Sequence, residues 1–189
     1  MGQSNQTKKA LAAAMKDLMQ QRPFAKINVG DICEACDLGR KSFYYHFRDK
    51  YDLVNWIFQT EFIAVAQAGA GEDSWGMLRE LCRYFYQNRA FYRNALEVTG
   101  QNSFPEYFQE TMQPLIQVMV AGFMDKRDQS AEFAAQFYTD AFLCAIVRWL
   151  SARDCMEPEL FIQMLNTTMS LGARCVLERS DREALQSIP

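Results

Sequence analysis

Residues 29–47 contain two short segments of helical pattern separated by the tripeptide Asp37-Leu38-Gly39. The first segment, VGDICEAC, follows Asn28, which lies three residues before Asp31 in the spacing of a capping box with Asp replacing the usual Glu. The tripeptide should end this helix, because its glycine tolerates the positive φ that a tight turn needs. A second helix then covers residues 40–47. Two short helices joined by a glycine-containing turn predict a helix-turn-helix.

The rest of the chain also has helical periodicity, and no stretch of useful length alternates as a strand does. An amino-terminal helix over 5–22 should end before Pro23. A longer helix should begin after Asp49 and run to about residue 68, where GAGED breaks the pattern. Pro114 should kink or divide the helix that contains it. The predicted fold class is all-α, with further helices over 74–87, 89–98, 104–124, 130–152 and 158–177.

Charge is divided unevenly along the chain, whose net charge is −3. Residues 1–50 carry nine Lys/Arg against five Asp/Glu, whereas residues 51–189 carry eleven against eighteen. We call residues 1–50 the head and residues 51–189 the body, linked by the helix over about 50–68. A basic head on an acidic body indicates that the head contacts a polyanion, although so few charges also divide unevenly by chance.

Cysteine usage and the amino-terminal sequence predict a cytoplasmic protein with free thiols. The segment MGQSNQTKK has no apolar run of the signal-peptide kind, and the longest apolar run, AFLCAIV (141–147), is too short to cross a membrane. One histidine and the lack of a Gly-rich phosphate loop argue against an enzyme, and no cofactor is expected. Cys33 and Cys36 have the spacing of half a zinc or redox site, the alternative being two buried thiols.

The stretch VGDICEACDLGRKSFYYHFRDKYDL (29–53) resembles the DNA-binding domain of TetR-family transcription regulators. In that family a short helix, a Gly-containing turn and a Tyr-aromatic-His-Phe run precede Lys-Xaa-Xaa-Leu. Residues 89–108 and 137–150 are similar to the carboxy-terminal domain of a branch that includes regulators of dihydroxyacetone kinase operons. Asn28 stands where the family often has Thr, and Gly30 weakens the first helix of the motif. The resemblance implies a helix-turn-helix head and a helical body that binds an effector and dimerises.

The resemblance implies that the second helix of the motif enters the major groove and contacts base edges with its first residues. Arg40 and Lys41 suit the paired acceptors of guanine, the alternative being solvated cations. Phe43 and Phe47 lie four residues apart and should face the core. His46 has the alternative of a structural histidine. The predicted DNA-contacting residues are Asn28, Arg40, Lys41, Ser42, Tyr44, Tyr45, His46 and Lys50.

The helix over 131–152 is apolar on nearly every face, so it should be covered on one side by its own core and on another by a second molecule. With the helix over 158–177 it would form a four-helix bundle in a homodimer. The alternative is that some of these residues are core. The predicted interface residues are Phe142, Ile146, Trp149, Leu150, Phe161, Met164, Leu165, Met169 and Gly172.

The helices over 56–124 are rich in aromatic residues and methionine, and in the resembled family such helices often enclose an effector pocket. The alternative is ordinary core. The expected function is a dimeric repressor that binds operator DNA and is released by a small-molecule effector. The other function left open is a TetR-like coactivator that responds through a protein partner. The predicted pocket residues are Phe62, Trp75, Tyr86, Asn102, Tyr107, Met112, Met119 and Phe123.

Overall fold

Helices make up most of the structure, a computed structural model that describes residues 2–68, 74–121 and 129–171. No strand occurs in these ranges, which confirms the predicted all-α class. None of the helices described is long and apolar enough to cross a membrane. The GAGED segment lies outside the described residues. The helices are α1 (Gly2–Gln21), α2 (Val29–Ala35), α3 (Arg40–His46), α4 (Lys50–Ala68), α5 (Ser74–Gln87), α6 (Arg89–Leu96), α7 (Phe104–Val120), α8 (Gln129–Ser151) and α9 (158–171).

The head is a three-helix unit in which α1, α2 and α3 share one core. Its buried side chains come from each helix and from the first turns of α4, as the apolar spacing along the sequence requires. A short 3₁₀ helix, Phe24–Lys26, connects α1 to α2 and buries Phe24. The head core consists chiefly of Leu11, Met15, Met19, Phe24, Ile27, Ile32, Phe43, Phe47 and Leu53.

The long helix α4 continues from the head into the body and carries Phe58 to the centre of an aromatic cluster. The ring of Phe58 lies 5.2 Å from that of Phe104 and 5.6 Å from that of Phe108, both in edge-on geometry. Because α4 packs on α1 of the head and also on α5 and α7 of the body, the boundary at residue 50 stays a prediction.

Glu61 of α4 gathers a polar cluster where head and body meet. Its carboxylate accepts hydrogen bonds from Lys16 of α1 at 2.7 Å and from Tyr92 of α6 at 3.0 Å. The hydroxyl of Tyr84 in α5 donates to the same carboxylate. Burial is the main reason that the pKa of Tyr92 lies well above its ordinary value, so this phenol stays protonated and donates its hydrogen bond. Four helices are thus joined at one carboxylate.

Asn94 of α6 makes a second polar contact with the head. Its side-chain oxygen accepts from the backbone N–H of Phe24 at 2.7 Å. Its amide nitrogen donates to the carbonyls of Met19 at 3.0 Å and Arg22 at 2.9 Å. A single body residue therefore supplies partners to three backbone groups at the end of α1 and the start of the 3₁₀ helix, groups that a helix end leaves unpaired.

Pro114 lies inside α7, which is nevertheless one continuous helix from Phe104 to Val120. Of the two outcomes expected at Pro114, division of the helix is therefore wrong, and a kink stays a prediction. Pro114 is exposed to solvent, as is Glu110, whose carbonyl loses its usual intrahelical donor. On an exposed face water can take the place of the missing N–H, so the helix continues.

The predicted dimer helix α8 is mostly committed to the core of its own chain. Phe142, Ile146, Trp149 and Leu150 are buried against the rest of the body, and the ring of Phe161 stacks on that of Trp149 at 4.2 Å. Side chains that are already buried have almost no area left to bury against a second copy. We therefore remove these five residues from the predicted interface and assign them to the core.

Candidate DNA-binding interface

The start of α2 forms the capping box that the sequence predicts. Asn28 accepts from the N–H of Asp31 at 3.1 Å, and the Asp31 carboxylate accepts from the N–H of Asn28 at 2.8 Å. The backbone hydrogen bond from Asn28, aided by Arg22 at 3.4 Å, lowers the pKa of Asp31 below its ordinary value. Asn28 is exposed, so its amide nitrogen remains at the surface of the head.

The turn between α2 and α3 differs from the expected one. Asp37, not Gly39, has the positive φ, at 52°, whereas Gly39 has an extended φ of −77° and precedes α3 as its N-cap. Asp tolerates this left-handed conformation better than most residues. The N–H of Leu38 donates to the Cys33 carbonyl at 2.9 Å, which closes the turn.

The thiols beside this turn are free. Cys36 donates from Sγ to the carbonyl of Ile32 at 3.2 Å, and burial raises the pKa of both Cys33 and Cys36. Within the described part of the chain, no group of three His, Cys, Asp or Glu side chains is arranged to hold a metal ion. Cys33 is buried and Cys36 is half-buried.

The short helix α3 separates its aromatic side chains by face. Phe43 and Phe47 are buried in the head core, with their ring centres 5.8 Å apart. Tyr44 and Tyr45 are 58% and 81% exposed. His46 is half-buried, and its ring meets that of Tyr45 edge-on at 4.9 Å. Large exposed aromatics on a rigid short helix are unusual unless something binds there.

The polar residues at the start of α3 are also placed at the surface. Arg40 and Lys41 are exposed, and Ser42 is half-buried beside them. Arg40 extends over α2, where its guanidinium lies next to Gly30. Lys41 has no such neighbour on α2 among the contacts described. The two cations are adjacent in sequence, but only the Arg40 side chain is described in contact with α2.

Lys50 stands apart from the other predicted DNA contacts because its ammonium is already bound within the head. It donates to the carbonyls of Phe24 at 2.8 Å and Ile27 at 2.7 Å, and lies 4.2 Å from the centre of the Phe24 ring. Burial lowers the pKa of this lysine. A phosphate contact by Lys50 stays a prediction, limited to the one donor that these carbonyls leave.

Arg48 was missed by the reasoning from sequence. It follows α3 directly, its side chain is 84% exposed, and its nearest carboxylate, that of Asp52, lies 3.9 Å away. Arg48 adds an exposed cation close in sequence to the exposed tyrosines, and it also lines a groove with Asp49 and Asp52. The signal was a basic residue adjoining the aromatic run, which the family pattern does not include.

The predicted pocket residues are dispersed. Asn102, which has a positive φ of 59°, and Tyr107 line a polar groove of about 480 Å³ that also includes Trp56 and four carboxylates. Met112 is buried in the core, whereas Tyr86 stacks on Trp149 at 5.9 Å. Phe62, Trp75 and Met119 are half-buried around the core. Phe123 lies outside the described residues.

Exposed apolar residues remain on the last two helices. On α8, Phe133 is 73% and Phe137 56% exposed, and their rings stack 6.4 Å apart. On α9, Leu160, Met164 and Leu171 recur at spacings of four and seven residues and are about half exposed. Of the predicted interface residues, Met164 belongs to this surface, Leu165 and Met169 are half-buried, and Gly172 lies outside the described residues. We call these exposed apolar residues, Phe133 and Phe137 on α8 and Leu160, Met164 and Leu171 on α9, the apolar stripes.

Two family models match the chain. The model described as "Bacterial regulatory proteins, tetR family" matches residues 10–57, and that described as "Transcriptional regulator C-terminal region" matches residues 73–171. A curated relative, the HTH-type dhaKLM operon transcriptional activator DhaS of Lactococcus lactis, is 27% identical over 169 residues, which cover 87% of this chain and 89% of the relative.

Solved structures have the same fold as this chain. A dihydroxyacetone kinase operon activator DhaS has a TM-score of 0.62 at 23% identity, covering 87% of this chain and 95% of that chain. A TetR transcriptional regulator from Streptococcus agalactiae has a TM-score of 0.70 at 23% identity, covering 88% and 94%. Because the carboxy-terminal model alone spans more than half of the sequence, the chain belongs to the TetR family, and it is a DNA-binding transcriptional regulator rather than an enzyme.

Proposed function

We propose that the protein binds operator DNA as a homodimer, with α3 of each head in the major groove. The observation that carries this proposal is the division of α3 into a buried face, Phe43 and Phe47, and an exposed face with Lys41, Tyr44 and Tyr45. The buried face holds the helix rigidly on the head. The exposed face offers one long cation and two hydroxyl-bearing rings to bases and phosphates.

Arg40→Ala and Lys41→Ala are each expected to weaken specific operator binding by about 1–3 kcal/mol if the residue contacts a base. Fluorescence anisotropy at fixed salt, on an operator fragment recovered by genomic pull-down, measures this. Lys26→Ala, an exposed cation of the 3₁₀ helix outside the predicted DNA-contacting set, is the matched control. Unchanged affinity and sequence preference in both test variants would remove base readout from these residues.

The apolar stripes support the dimer. Each stripe contains large apolar side chains at helical spacing that are exposed in the described part of the chain. A four-helix bundle between two copies needs such exposed stripes. In this arrangement Phe137 of α8 and Met164 of α9, rather than the buried residues of α8, lie at the centre of the dimer interface, which we call the seam. Two heads fixed in this way would bind half-sites about 34–36 Å apart.

For regulation, we propose first a repressor that a small polar ligand releases. The groove lined by Trp56, Asn102 and Tyr107 supports this candidate, since α4 and α7 both contribute to it and α4 continues into the head. Its four carboxylates, from Asp49, Asp52, Glu106 and Glu110, outnumber its one cation, Arg48, and so favour a cationic or hydroxyl-rich ligand over an apolar one.

The second candidate is an activator that responds through a protein partner. It is supported by the Lactococcus lactis relative, which is a transcriptional activator of the dhaKLM operon. It is also supported by the body core, where the tilted rings of Phe85 and Tyr92 lie 4.2 Å apart beside Phe58 and fill space that an apolar effector would need. In this case the groove would have no regulatory ligand.

Two measurements separate these candidates. In vitro transcription from the recovered operator gives the sign, because a repressor lowers and an activator raises the yield of transcript. Thermal denaturation against a panel of polar metabolites tests the ligand, since a binder at 100 times its Kd stabilises the folded protein by about 2.7 kcal/mol. A stoichiometric co-purifying protein together with no thermal shift would favour the second candidate.

A further inference from the structure

Gly30 has no local reason to be glycine. It is the second residue of α2, where glycine forms helix less readily than alanine. Its φ is not in the positive region, which among the glycines described is adopted by Gly100. Backbone conformation therefore does not require glycine at this position, and the space beside it becomes the relevant property.

That space is filled by Arg40 from the start of α3. A Cβ built on Gly30 would lie 2.6 Å from Nη2 and 3.3 Å from Nε of Arg40. It would also lie 2.9 Å from Oδ1 of Asn28. A methyl carbon and a nitrogen that are not bonded to each other do not approach to 2.6 Å. An alanine methyl group and the guanidinium therefore cannot both keep these positions.

Both contacts are closer than a methyl carbon tolerates, so the Arg40 guanidinium must move and Oδ1 of Asn28 must shift as well. Oδ1 of Asn28 is held by its hydrogen bond from the N–H of Asp31 in the capping box. The guanidinium is the far end of a flexible side chain, more than a third of the residue is exposed, and no hydrogen bond to it is described. Alanine at position 30 would therefore displace Arg40 at little cost, whereas the shift of Asn28 would weaken the capping-box hydrogen bond.

We propose that Gly30 is a positioning residue for DNA recognition, because the missing side chain lets the Arg40 guanidinium rest on α2 at the edge where α2 and α3 meet the operator. An arginine whose side chain already lies against α2 has fewer rotamers to lose when it contacts DNA than one that extends freely into solvent. The inference rests on the proposed function in one respect, namely that Arg40 contacts the operator.

A double-mutant cycle in the full-length protein tests the proposal through Gly30→Ala, Arg40→Ala and the combined variant. Operator affinity is measured by fluorescence anisotropy at one salt concentration, since phosphate contacts make affinity depend on salt. Gly30→Ala should raise Kd about tenfold, the scale of ordering one long side chain. With Arg40 already replaced, the same change should alter Kd less than about twofold, because no guanidinium remains to be displaced.

Thermal denaturation separates positioning from damage to the fold. Alanine is the better helix former by an amount similar to the cost of a weakened capping-box hydrogen bond, so Gly30→Ala should melt near the wild-type temperature. A variant that binds weakly and also melts well below wild type would overturn the proposal in favour of a structural role for Gly30.

Three binding results would also overturn it, each in a different way. Wild-type affinity for Gly30→Ala, beside weak binding by Arg40→Ala, removes the positioning role but leaves the Arg40 contact intact. Equal losses from Gly30→Ala in both backgrounds mean that its effect does not pass through Arg40. No loss in Arg40→Ala removes the contact itself, and then this part of the proposed function fails together with the inference.

Discussion

Replacing Asn94 with alanine is expected to lower the free energy of unfolding by about 2–3 kcal/mol. The change removes the partners of three backbone groups, the N–H of Phe24 and the carbonyls of Met19 and Arg22. Each such hydrogen bond contributes about 1 kcal/mol, and an unpaired group in a partly buried place costs more than one that water can reach. For a chain of this length the melting temperature should fall by about 5–10 °C.

Arg93→Ala is the matched control, since Arg93 precedes Asn94 in α6 and is exposed, so its loss should change stability by less than about 0.5 kcal/mol. Asn94→Asp is a sharper test. It keeps an oxygen for Phe24 but turns a carboxylate toward two carbonyls, so it should destabilise at least as much as alanine. A melting temperature for Asn94→Ala within 2 °C of wild type would mean that water replaces the side chain fully.

The Asn94 contact also bears on regulation, because α6 belongs to the body and the end of α1 to the head. With the Glu61 cluster it holds the head at two separate points. A ligand or partner that moves α6 relative to α4 must therefore alter the position of the head. This coupling follows from the hydrogen bonds whichever sign of regulation applies.

The head could be predicted in detail because its signals are local. The capping box spans four residues, and the burial of Phe43 and Phe47 follows from their spacing of four on one short helix. The features that were missed depend on distant contacts. Asn94 binds backbone groups about 70 residues away, and Lys50 binds carbonyls 23 and 26 residues earlier. No periodicity in a single sequence encodes such partners.

For the proposed interface on α8, the sequence could indicate the helix but not which of its faces would contact a second copy. That helix is apolar on nearly every side, so the pattern does not tell which side its own chain covers. The structure buries Ile146 and Trp149 and leaves Phe133 and Phe137 exposed. The predicted pocket residues meet the same difficulty, because packed core and pocket lining have the same aromatic composition, and Met112 proves to be core.

Phe137→Glu and Met164→Glu, made separately, are each expected to convert the proposed dimer to a monomer and to weaken operator binding about 100-fold or more. A carboxylate buried without a partner costs several kcal/mol in an apolar seam, whereas on an exposed surface it costs almost nothing. Two linked heads bind two half-sites with an affinity about 10²–10⁴ times that of one head, and a monomer loses this gain.

Light scattering at micromolar concentration gives the mass, and anisotropy on full and half operators gives the affinity. Gln87→Glu, which adds the same charge at an exposed position of α5, is the matched control and should remain a dimer. Both variants should bind an isolated half-site as the wild type does, because the head is unchanged. Dimers of wild-type operator affinity from both variants would mean that the apolar stripes do not form the seam, since two unpaired carboxylates could not be buried there without a measurable loss of association.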